Sequence, residues 1–583
     1  MKLPQILYPL PKTLQSIGKK SALLAISRLL LFFTMLALLI IGLSDNPLFL
    51  IPLPFLTLLF AALINRFNHY KDLKAFILEL QLIESEEAQR KSRVLHDFDP
   101  GIEFLEKSHP FCNDLDLFGQ HSLFQLLNRT VSVGGRALLA QSMKAQIAPN
   151  LAKKQFKAIE ELRKSPELLQ HFQAAGRAFF KEEKDKRGFY QWLKEPENWH
   201  PFYLALMLIG PIGGITLMSG VLLADWPAAW LGLWVLFGTG LLSLVYKNLN
   251  IATKIWPSAG DIKTFRIWSE FLEKETFTDP KLQEIHLQFA DGQFSKAINS
   301  LEQISFLIQN RLNLVYVILN FLFWLDFFLL WQLKGWKKNH GTDLSKIEKI
   351  FEQWQVLISL AAFSNSETLQ GRLEWTNADQ FECSNIRHPL LKANQAIGND
   401  FVLQHHKKTV LLTGANMSGK TTFMRTLGIN LVMANLGLRP MAESMTVGKY
   451  SLYTSMRNTD NLGESVSSFY AELFRIRQVL QAAEKGESVF FLMDEILKGT
   501  NTKDRILGSE ALIKQLAASK AKGIISTHDI ELSDLEKDLA YLVNYSFHSE
   551  ISDDEILFDY KLKTGPCPSF NAHKLMELMG VRF

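Results

Sequence analysis

The pattern of apolar and polar positions divides this chain of 583 residues into three kinds of segment. Two pairs of apolar runs, 29–43 with 48–64 and 202–224 with 228–246, approach the length of about 20 residues that a bilayer-spanning helix needs. Between these pairs, apolar residues recur every three or four positions, which predicts amphipathic helices. From about residue 375, short apolar runs alternate with helical patterns, which is typical of a parallel sheet with helical crossovers. The sequence therefore predicts a multidomain protein with two transmembrane helical hairpins, an all-α core and a C-terminal α/β domain.

Basic residues orient the two predicted hairpins. They lie on both outer sides of the first hairpin and after the second, whereas the turn at 44–47 has none. Cytoplasmic flanks of membrane helices are enriched in Lys and Arg, so we expect the outer ends of both hairpins in the cytoplasm. The flanking residues are Lys2, Lys12, Lys19, Lys20, Arg66, Lys71, Lys74, Lys247 and Lys254. A cleaved signal peptide in place of the first run, or a buried hairpin of a soluble protein, is the alternative.

A glycine-rich loop organises the α/β region. The apolar run 410–412 reads as a buried strand, the spacing Gly414-x4-Gly419-Lys420-Thr421 follows, and a helical pattern begins at Thr422. This order predicts a P-loop, in which backbone N–H groups surround phosphate at the positive end of a helix. We expect Lys420 to reach the β- and γ-phosphates and the Thr421 hydroxyl to hold Mg²⁺, so ATP and Mg²⁺ are the predicted cofactors.

Two later strand ends supply the remaining chemistry. The run 489–493 leads into Asp494 and Glu495, and the run 523–527 leads into His528. We expect Asp494 to bind Mg²⁺, directly or through water, and Glu495 to orient or deprotonate the attacking water. His528 is expected to sense the γ-phosphate, with a structural role as its alternative. The predicted catalytic residues are therefore Glu495, His528 and Lys420.

A third apolar stretch, 314–333, contains Asn320 and Asp326 and has basic residues on both flanks. A further membrane crossing there would place the P-loop on the outer side, where there is no ATP. We therefore expect a buried helix of a soluble bundle, with a membrane role as the alternative.

Composition indicates the cellular environment of the chain more clearly than its function. The net charge of +4 leaves no long basic tail that would indicate nucleic acid. The three cysteines, Cys112, Cys383 and Cys567, are far apart and lack metal-ligand spacing, which favours a reduced, cytosolic setting for the bulk of the chain.

Taken together, the motifs resemble the ATPase of the MutS mismatch-repair family. The resemblance rests on TGANMSGKT at 413–421, MDEILKGTNT at 493–502 and STH at 526–528, and SSFYAE at 467–472 is similar to the family's signature segment. It implies that the loop residues bind phosphate, that Phe401 stacks on adenine, and that Ser467 completes the ATP site of a partner subunit. The implied nucleotide-binding residues are Gly414, Asn416, Met417, Ser418, Gly419, Lys420, Thr421, Thr422, Phe401 and Ser467. A homodimer and a helical clamp on double-stranded DNA are also implied.

The chain departs from that family in three places. Membrane segments occupy the N-terminal region, so we expect a variant that lacks the mismatch-binding domain. Lys498 stands where the family usually has arginine, and the sequence stops at Phe583, before much of the family's dimerising region. The expected divisions are a basic cytoplasmic tail (1–27), a first transmembrane hairpin (28–65), a helical linker (66–110), a first segment of helical core (111–201), a second transmembrane hairpin (202–246), a second segment of helical core (247–373) and a P-loop ATPase domain of MutS or ABC type (374–583).

The sequence thus predicts a multi-pass membrane protein whose cytoplasmic ATPase controls a DNA clamp that senses mismatches or DNA structure. An ABC-type ATPase that drives a membrane transporter is one alternative, although no Leu-Ser-Gly-Gly segment occurs. A membrane scaffold or switch that holds something other than DNA is the other alternative.

Overall fold

The computed structural model describes residues 10–181, 187–195, 199–288, 293–340, 344–403, 406–457, 468–552 and 555–568. The chain divides into two compact units. The helical unit comprises residues 1–85, 131–134 and 167–355, and the sheet unit comprises residues 86–130, 135–166 and 356–583.

Helices occupy the described residues before position 371. They are α1 (Leu10–Ser44), α2 (Leu53–Lys91), α3 (Leu123–Leu127), α4 (Val133–Lys144), α5 (Pro149–Leu162), α6 (Pro166–Phe179), α7 (Arg187–Lys194), α8 (Phe202–Leu223), α9 (Ala229–Ile255), α10 (Ala259–Leu272), α11 (Pro280–Leu287), α12 (Gln293–Asn310), α13 (Leu314–Phe323), α14 (Leu325–His340) and α15 (Leu344–Ser366). Short 3₁₀ turns lie at Pro47–Leu50 and Ile102–Phe104.

Strands and helices alternate in the rest of the chain. They are β1 (Arg372–Trp375), β2 (Phe381–Ile386), β3 (Asn399–Leu403), β4 (Thr409–Gly414), α16 (Lys420–Asn435), β5 (Ser444–Val447), β6 (Ser451–Ser455), α17 (Ser468–Glu484), β7 (Val489–Asp494), α18 (Thr502–Ala517), β8 (Lys522–Thr527), β9 (Leu542–Ser552) and β10 (Glu555–Thr564), with a 3₁₀ turn at Ile530–Lys537.

Four helices of the described residues, α1, α2, α8 and α9, are long and apolar enough to cross a membrane. They cover most of each of the four apolar runs predicted from the sequence. Large apolar side chains cover their outer surfaces, for example Leu58 at 72%, Ile212 at 65% and Leu236 at 70% exposure. An apolar surface this extended is not typical of a soluble monomer and marks a membrane or protein contact.

The stretch 314–333 is not the single buried helix that the sequence predicted. It breaks at Trp324, which has φ of 56°, and no residue of α13 is buried, whereas α14 buries Phe327, Leu330 and Leu333. The helical hydrogen bond from Asp326 N–H to the Leu322 carbonyl is replaced by two others. The Asn320 side chain accepts the Asp326 N–H at 2.8 Å, and Trp234 Nε1 donates to the Leu322 carbonyl at 2.9 Å. The break follows from these tertiary bonds, which apolar periodicity alone does not reveal.

The sheet unit contains a mixed sheet with the order β10-β9-β4-β8-β7-β6 among the described residues. Strands β9, β4, β8, β7 and β6 are parallel, and β10 pairs antiparallel with β9. A second sheet, with the order β1-β5-β2-β3, was not foreseen. The predicted α/β domain is therefore confirmed in outline, with a mixed sheet rather than a purely parallel one.

The central strands place their last residues at one edge of the larger sheet. Every residue of β4 and β8 is buried, as are the first five residues of β7, so these strands form the middle of the core. Because β4, β8 and β7 are neighbouring parallel strands, their carboxyl ends meet at the edge where α/β proteins bind ligands.

Candidate functional site

The glycine-rich loop joins the end of β4 to the start of α16. Gly414 ends the strand with φ of 151°, and a Cβ added there would lie 2.7 Å from the Phe547 carbonyl oxygen. Met417 and Gly419 also have positive φ, of 67° and 106°. The hydroxyl of Ser418 is buried and has no hydrogen-bond partner within the described residues of the chain. A buried, unpaired hydroxyl inside such a loop calls for a ligand atom to complete it.

Lys420, the first residue of α16, folds back over this loop. Its Nζ donates to the carbonyl oxygens of Gly414 at 2.8 Å and Ala415 at 3.1 Å, and the side chain is 4% exposed. Burial lowers the pKa of Lys420, and the carboxylates of Glu495 and Asp494 oppose that shift. No acid among the described residues forms an ion pair with it, so neutral carbonyls alone hold the ammonium. A buried cation in this state is well prepared to receive an anion.

Asp494 lies where the predicted magnesium ligands meet. The Thr421 hydroxyl donates to Asp494 Oδ2 at 2.5 Å, and the Ser526 hydroxyl donates to Asp494 Oδ1. These side chains come from the start of α16 and from the ends of β7 and β8. A hydroxyl and a carboxylate at contact distance are oxygen ligands of the kind that Mg²⁺ prefers, and waters and phosphate complete its usual shell.

Glu495 is held by a histidine and a lysine. His528 Nε2 lies 2.7 Å from Glu495 Oε1, and Lys498 Nζ pairs with Glu495 Oε2. Burial raises the pKa of Glu495, but the hydrogen bonds and charges of His528 and Lys498 outweigh burial and lower the pKa to about 2. The backbone is also unusual here, because Glu495 and Leu497 have φ of 49° and 59°. The carboxylate is therefore ionised and fixed in direction, as an orienting group needs to be.

A cavity of about 480 Å³ opens beside the loop. Its lining residues are Ile386, His388, Leu391, Gln395, Ile397, Asn399, Gly419, Thr422, Phe423, Thr426, Phe547 and Tyr560. The Tyr560 ring lies over Gly419, where an added Cβ would be 3.1 Å from Cδ1 of the ring. Burial, with the nearby charges of Arg425 and His121, lowers the pKa of His388 to about 4, so this imidazole is neutral at pH 7. An apolar cavity with a few polar groups beside a phosphate loop has the character of a base pocket.

Phe401 does not line this cavity, in contrast to what the family resemblance implied. It is 1% exposed, and its ring packs against Phe381, Phe423 and Tyr545 at centroid distances of 5.8–6.0 Å. The alternation along β3 directs Phe401 into the core between the sheets, so it is unavailable for stacking. Ile397 and Tyr560 line the cavity instead.

The structure describes the signature segment from its second residue onward. Ser467 lies outside the described residues, and α17 begins at the next position. Within α17, Glu472 is 6% exposed and accepts the backbone N–H of Leu497, two residues after Glu495. Gly499 allows close approach, since a Cβ there would lie 2.6 Å from Phe469 Cβ. The start of α17 is thus fastened to the turn that carries the acidic pair.

Sequence reasoning missed two aspartates that join the site to the turn at residues 111–121. Asp116 accepts Arg425 of α16 at 3.2 Å and Arg457 at 2.5 Å. Asp114, which is 2% exposed, accepts the Thr454 hydroxyl and lies 3.3 Å from Arg475 of α17. The only sequence signal was an acidic pair inside an apolar stretch, because the basic partners lie more than 300 positions later.

Known proteins are similar to this chain in the region that contains the candidate site. Residues 410–581 match the family model for MutS domain V. The chain is 29% identical over 263 residues to the DNA mismatch repair protein MutS of Lactobacillus delbrueckii subsp. bulgaricus, of Listeria welshimeri serovar 6b and of Lactobacillus johnsonii. These alignments cover 44% of this chain, and the chain spans about 30% of the length of the relatives that it matches.

Proposed function

Because the C-terminal region of this chain belongs to the MutS family, we propose that the protein is a membrane-anchored ATPase that binds and hydrolyses Mg-ATP. One observation carries the proposal above the others. The Thr421 hydroxyl and the Asp494 carboxylate meet at 2.5 Å near the buried ammonium of Lys420, which bonds to two carbonyls and pairs with no carboxylate among the described residues. An anion-binding loop and an oxygen-rich cation position at one sheet edge are the two requirements of phosphoryl transfer from a magnesium nucleotide.

The loop residues would hold the triphosphate. Backbone N–H groups and the Ser418 hydroxyl would surround the phosphates, with Lys420 released from its carbonyl partners to reach them. The loop positions in this role are Gly414, Asn416, Met417, Ser418, Gly419, Lys420, Thr421 and Thr422. Thr421 and Asp494 would hold Mg²⁺, which neutralises charge that builds up on the phosphate oxygens.

The base would enter the cavity beside the loop. Ile397 and Tyr560 offer apolar surface there, and the Tyr560 ring is 44% exposed over Gly419. We assign adenine stacking to these residues in place of Phe401, because an aromatic face next to a glycine-rich loop contacts a ring without steric conflict.

Hydrolysis would depend on Glu495 and His528. Glu495 orients the attacking water, and His528, which is bonded to it, responds to the phosphate nearby. By family resemblance, Ser467 of a second copy would complete the site, which makes the active form a homodimer.

Nucleotide state would then control a clamp on double-stranded DNA. The support is the MutS family membership and the name of the relatives, DNA mismatch repair protein. The deciding assay measures ATP turnover of the purified full-length protein with no DNA, with matched duplex, with a mismatch and with branched DNA. We expect DNA to change turnover and duplex binding to weaken steeply with salt, because each phosphate contact releases a counterion.

The outcomes of these assays separate the DNA clamp from the ATPase. Turnover that DNA leaves unchanged, with no duplex binding at low salt, rejects the clamp and favours a membrane scaffold or a transporter ATPase. A protein without turnover under any condition rejects the ATPase as well. Protease added to intact cells should spare the sheet unit, and digestion from outside would reject the cytoplasmic orientation.

A further inference from the structure

The break between α13 and α14 lies inside a segment whose two ends return to one end of the second predicted hairpin. At its entrance, Gln309 Nε2 donates to the Pro257 carbonyl, just beyond the end of α9, at 3.2 Å. At its exit, Lys334 Nζ lies 5.2 Å from the ring centre of Trp199, just before α8 begins. Both contacts are at the open end of the α8–α9 hairpin, opposite the turn at 225–227.

The middle of the segment contacts the interior of that hairpin. A Cβ on Gly210 would lie 2.6 Å from the Phe323 carbonyl oxygen, and a Cβ on Gly214 would lie 2.3 Å from the Leu322 carbonyl oxygen. These glycines are about 12 and 18 Å along α8, a helix of 22 residues and about 33 Å. The glycine surface therefore receives the end of α13 near the middle of the hairpin's length.

Two tryptophans fix this position. The rings of Trp234, from α9, and Trp324 stack with centroids 4.3 Å apart, and Trp234 Nε1 donates to the Leu322 carbonyl. Gly238 makes room for Trp324, because a Cβ there would lie 2.2 Å from its Nε1. If the hairpin crosses a bilayer, the apex of the segment lies near mid-depth.

The outer face of α13 is apolar and continuous with the surface of the hairpin. Leu312, Leu314, Val315 and Ile318 are 76%, 72%, 64% and 50% exposed. No charged residue lies between Leu312 and Phe323. Because α13 packs on α8 and α9, whose own outer residues such as Ile212 are exposed and apolar, one medium must cover both surfaces.

The two charged residues of the segment, Arg311 near its entrance and Asp326 next to the break, neutralise each other. Arg311 and Asp326 are 7% and 2% exposed, and Arg311 Nη2 lies 2.6 Å from Asp326 Oδ2. The Tyr316 hydroxyl donates to Asp326 Oδ1 at 3.0 Å. Charges near membrane depth persist when they are paired and hydrogen-bonded in this way.

We propose that residues 312–333 form a re-entrant membrane segment, in which α13 enters the cytoplasmic leaflet beside the second hairpin and the first part of α14 returns to the same side, with lipid acyl chains covering the outer face of α13. The proposal rests on the membrane anchoring proposed above and goes beyond it. It also keeps the P-loop in the cytoplasm, because a segment that returns adds no crossing. Non-helical backbone at such depth is tolerated where protein buries it, as the hairpin buries Trp324.

Spin labels on single introduced cysteines test the lipid contact in full-length protein reconstituted into liposomes. The test positions are Val315→Cys and Ile318→Cys, Ile212→Cys reports the hairpin, and Leu287→Cys is an aqueous control at 68% exposure. The native cysteines are buried, and unsubstituted protein gives the background. We expect labels at 315 and 318 to collide with oxygen in preference to a water-soluble nickel complex, as at 212, with the preference reversed at 287.

The outcomes separate this proposal from the anchoring itself. Labels at 315 and 318 that behave like 287, while 212 contacts lipid, overturn the re-entrant segment and leave the anchor standing. A label at 212 that also prefers the nickel complex rejects both.

Sidedness distinguishes a returning segment from a crossing one. A membrane-impermeant maleimide added to intact cells should label Leu223→Cys at the outer turn. It should leave both Asn310→Cys and Lys338→Cys unlabelled until the cells are opened. Labelling of only one of the two from outside would show that the segment crosses the membrane and would overturn the proposal.

Discussion

Two helices of this protein begin directly after a left-handed residue and beside a buried charge, and the two charges are treated differently. Helix α14 follows Trp324 and carries Asp326, which is 2% exposed and paired with Arg311. Helix α16 follows Gly419 and starts with Lys420, which is 4% exposed and bonded to neutral carbonyls only. The first belongs to the helical unit and the second to the sheet unit.

The difference separates a structural charge from a functional one. A buried charge that is paired and hydrogen-bonded contributes little net stability, but removing its partner is costly. A buried charge without an opposite partner lowers stability in the free protein and is retained where a ligand completes it. We therefore expect changes at Arg311 to alter folding, and changes at Lys420 to alter ligand binding.

The largest expected effect is that of Arg311→Met on stability. The substitution leaves the Asp326 carboxylate buried without its cation, which costs about 3–5 kcal/mol in comparable buried pairs. Thermal unfolding of the purified protein in detergent should show a clearly lower midpoint. Lys338→Met, at an exposed position on α14, is the matched control and should leave the midpoint unchanged.

A double variant tests whether the lost partner is the cause. Arg311→Met combined with Asp326→Leu removes both charges and should recover most of the lost stability. If the double variant is no more stable than Arg311→Met, the buried Asp326 carboxylate is not the cause of the lost stability.

Glu495→Gln comes next and should affect turnover alone. The amide keeps the shape but cannot attract a proton from water, so we expect ATP turnover to fall about 100-fold or more. Binding of a fluorescent ATP analogue should be nearly unchanged. Glu510→Gln is the control, because Glu510 pairs with Lys514 on the surface of α18. Unchanged hydrolysis in Glu495→Gln would reject its role in orienting water.

Lys420→Met tests the buried charge of the sheet unit, which we expect to affect ligand binding rather than folding. Loss of one charge-assisted contact to phosphate should weaken ATP binding by about 1.5–3 kcal/mol, measured by titration calorimetry. Without nucleotide the same variant should be at least as stable as the parent, because a buried, unpaired ammonium has been removed. Lys485→Met, at an exposed position after α17, is the control. A lower unfolding temperature without nucleotide would mean that Lys420 is a structural residue.

These two helix starts were not equally predictable. The start at Lys420 follows from local spacing, because the glycines at 414 and 419 and the apolar strand before them lie within ten positions. The ends of β7 and β8, with Asp494, Glu495 and His528, were found in the same way. Short apolar runs that end in polar residues are sufficient for such a prediction.

The break at Trp324 and the base pocket depend on distant partners. Gly210, Gly214 and Trp234 determine where α13 ends, and they are about 90 or more positions away. Tyr560, which lines the cavity, has φ of 52° and lies in an irregularity of β10 between Phe558 and Leu562 that strand alternation does not predict. Phe401 is the stacking residue that the family resemblance implies, and nothing in the local sequence indicates that its side chain is buried.

The smallest expected effect is that of a substitution at Lys498, which forms an ion pair with Glu495. Within the candidate site, Glu495 is therefore a charge held by a partner, whereas Lys420 is a charge held by neutral carbonyls. With His528 and Lys498 both in place the pKa of Glu495 is about 2, so its carboxylate stays ionised throughout the working pH range. Lys498→Met removes one cation and should raise that pKa towards its ordinary value. A group whose folded pKa is depressed adds stability above its unfolded pKa and loses it as pH falls through the folded pKa, so in the variant this contribution is smaller and is fully lost at a higher pH. We expect the acidic limb of the turnover–pH profile to move up by about one pH unit, with little change at neutral pH.

Lys514→Met, which removes a surface partner of Glu510, should leave the profile in place. A profile that Lys498→Met also leaves in place would show that His528 alone sets the ionisation of Glu495.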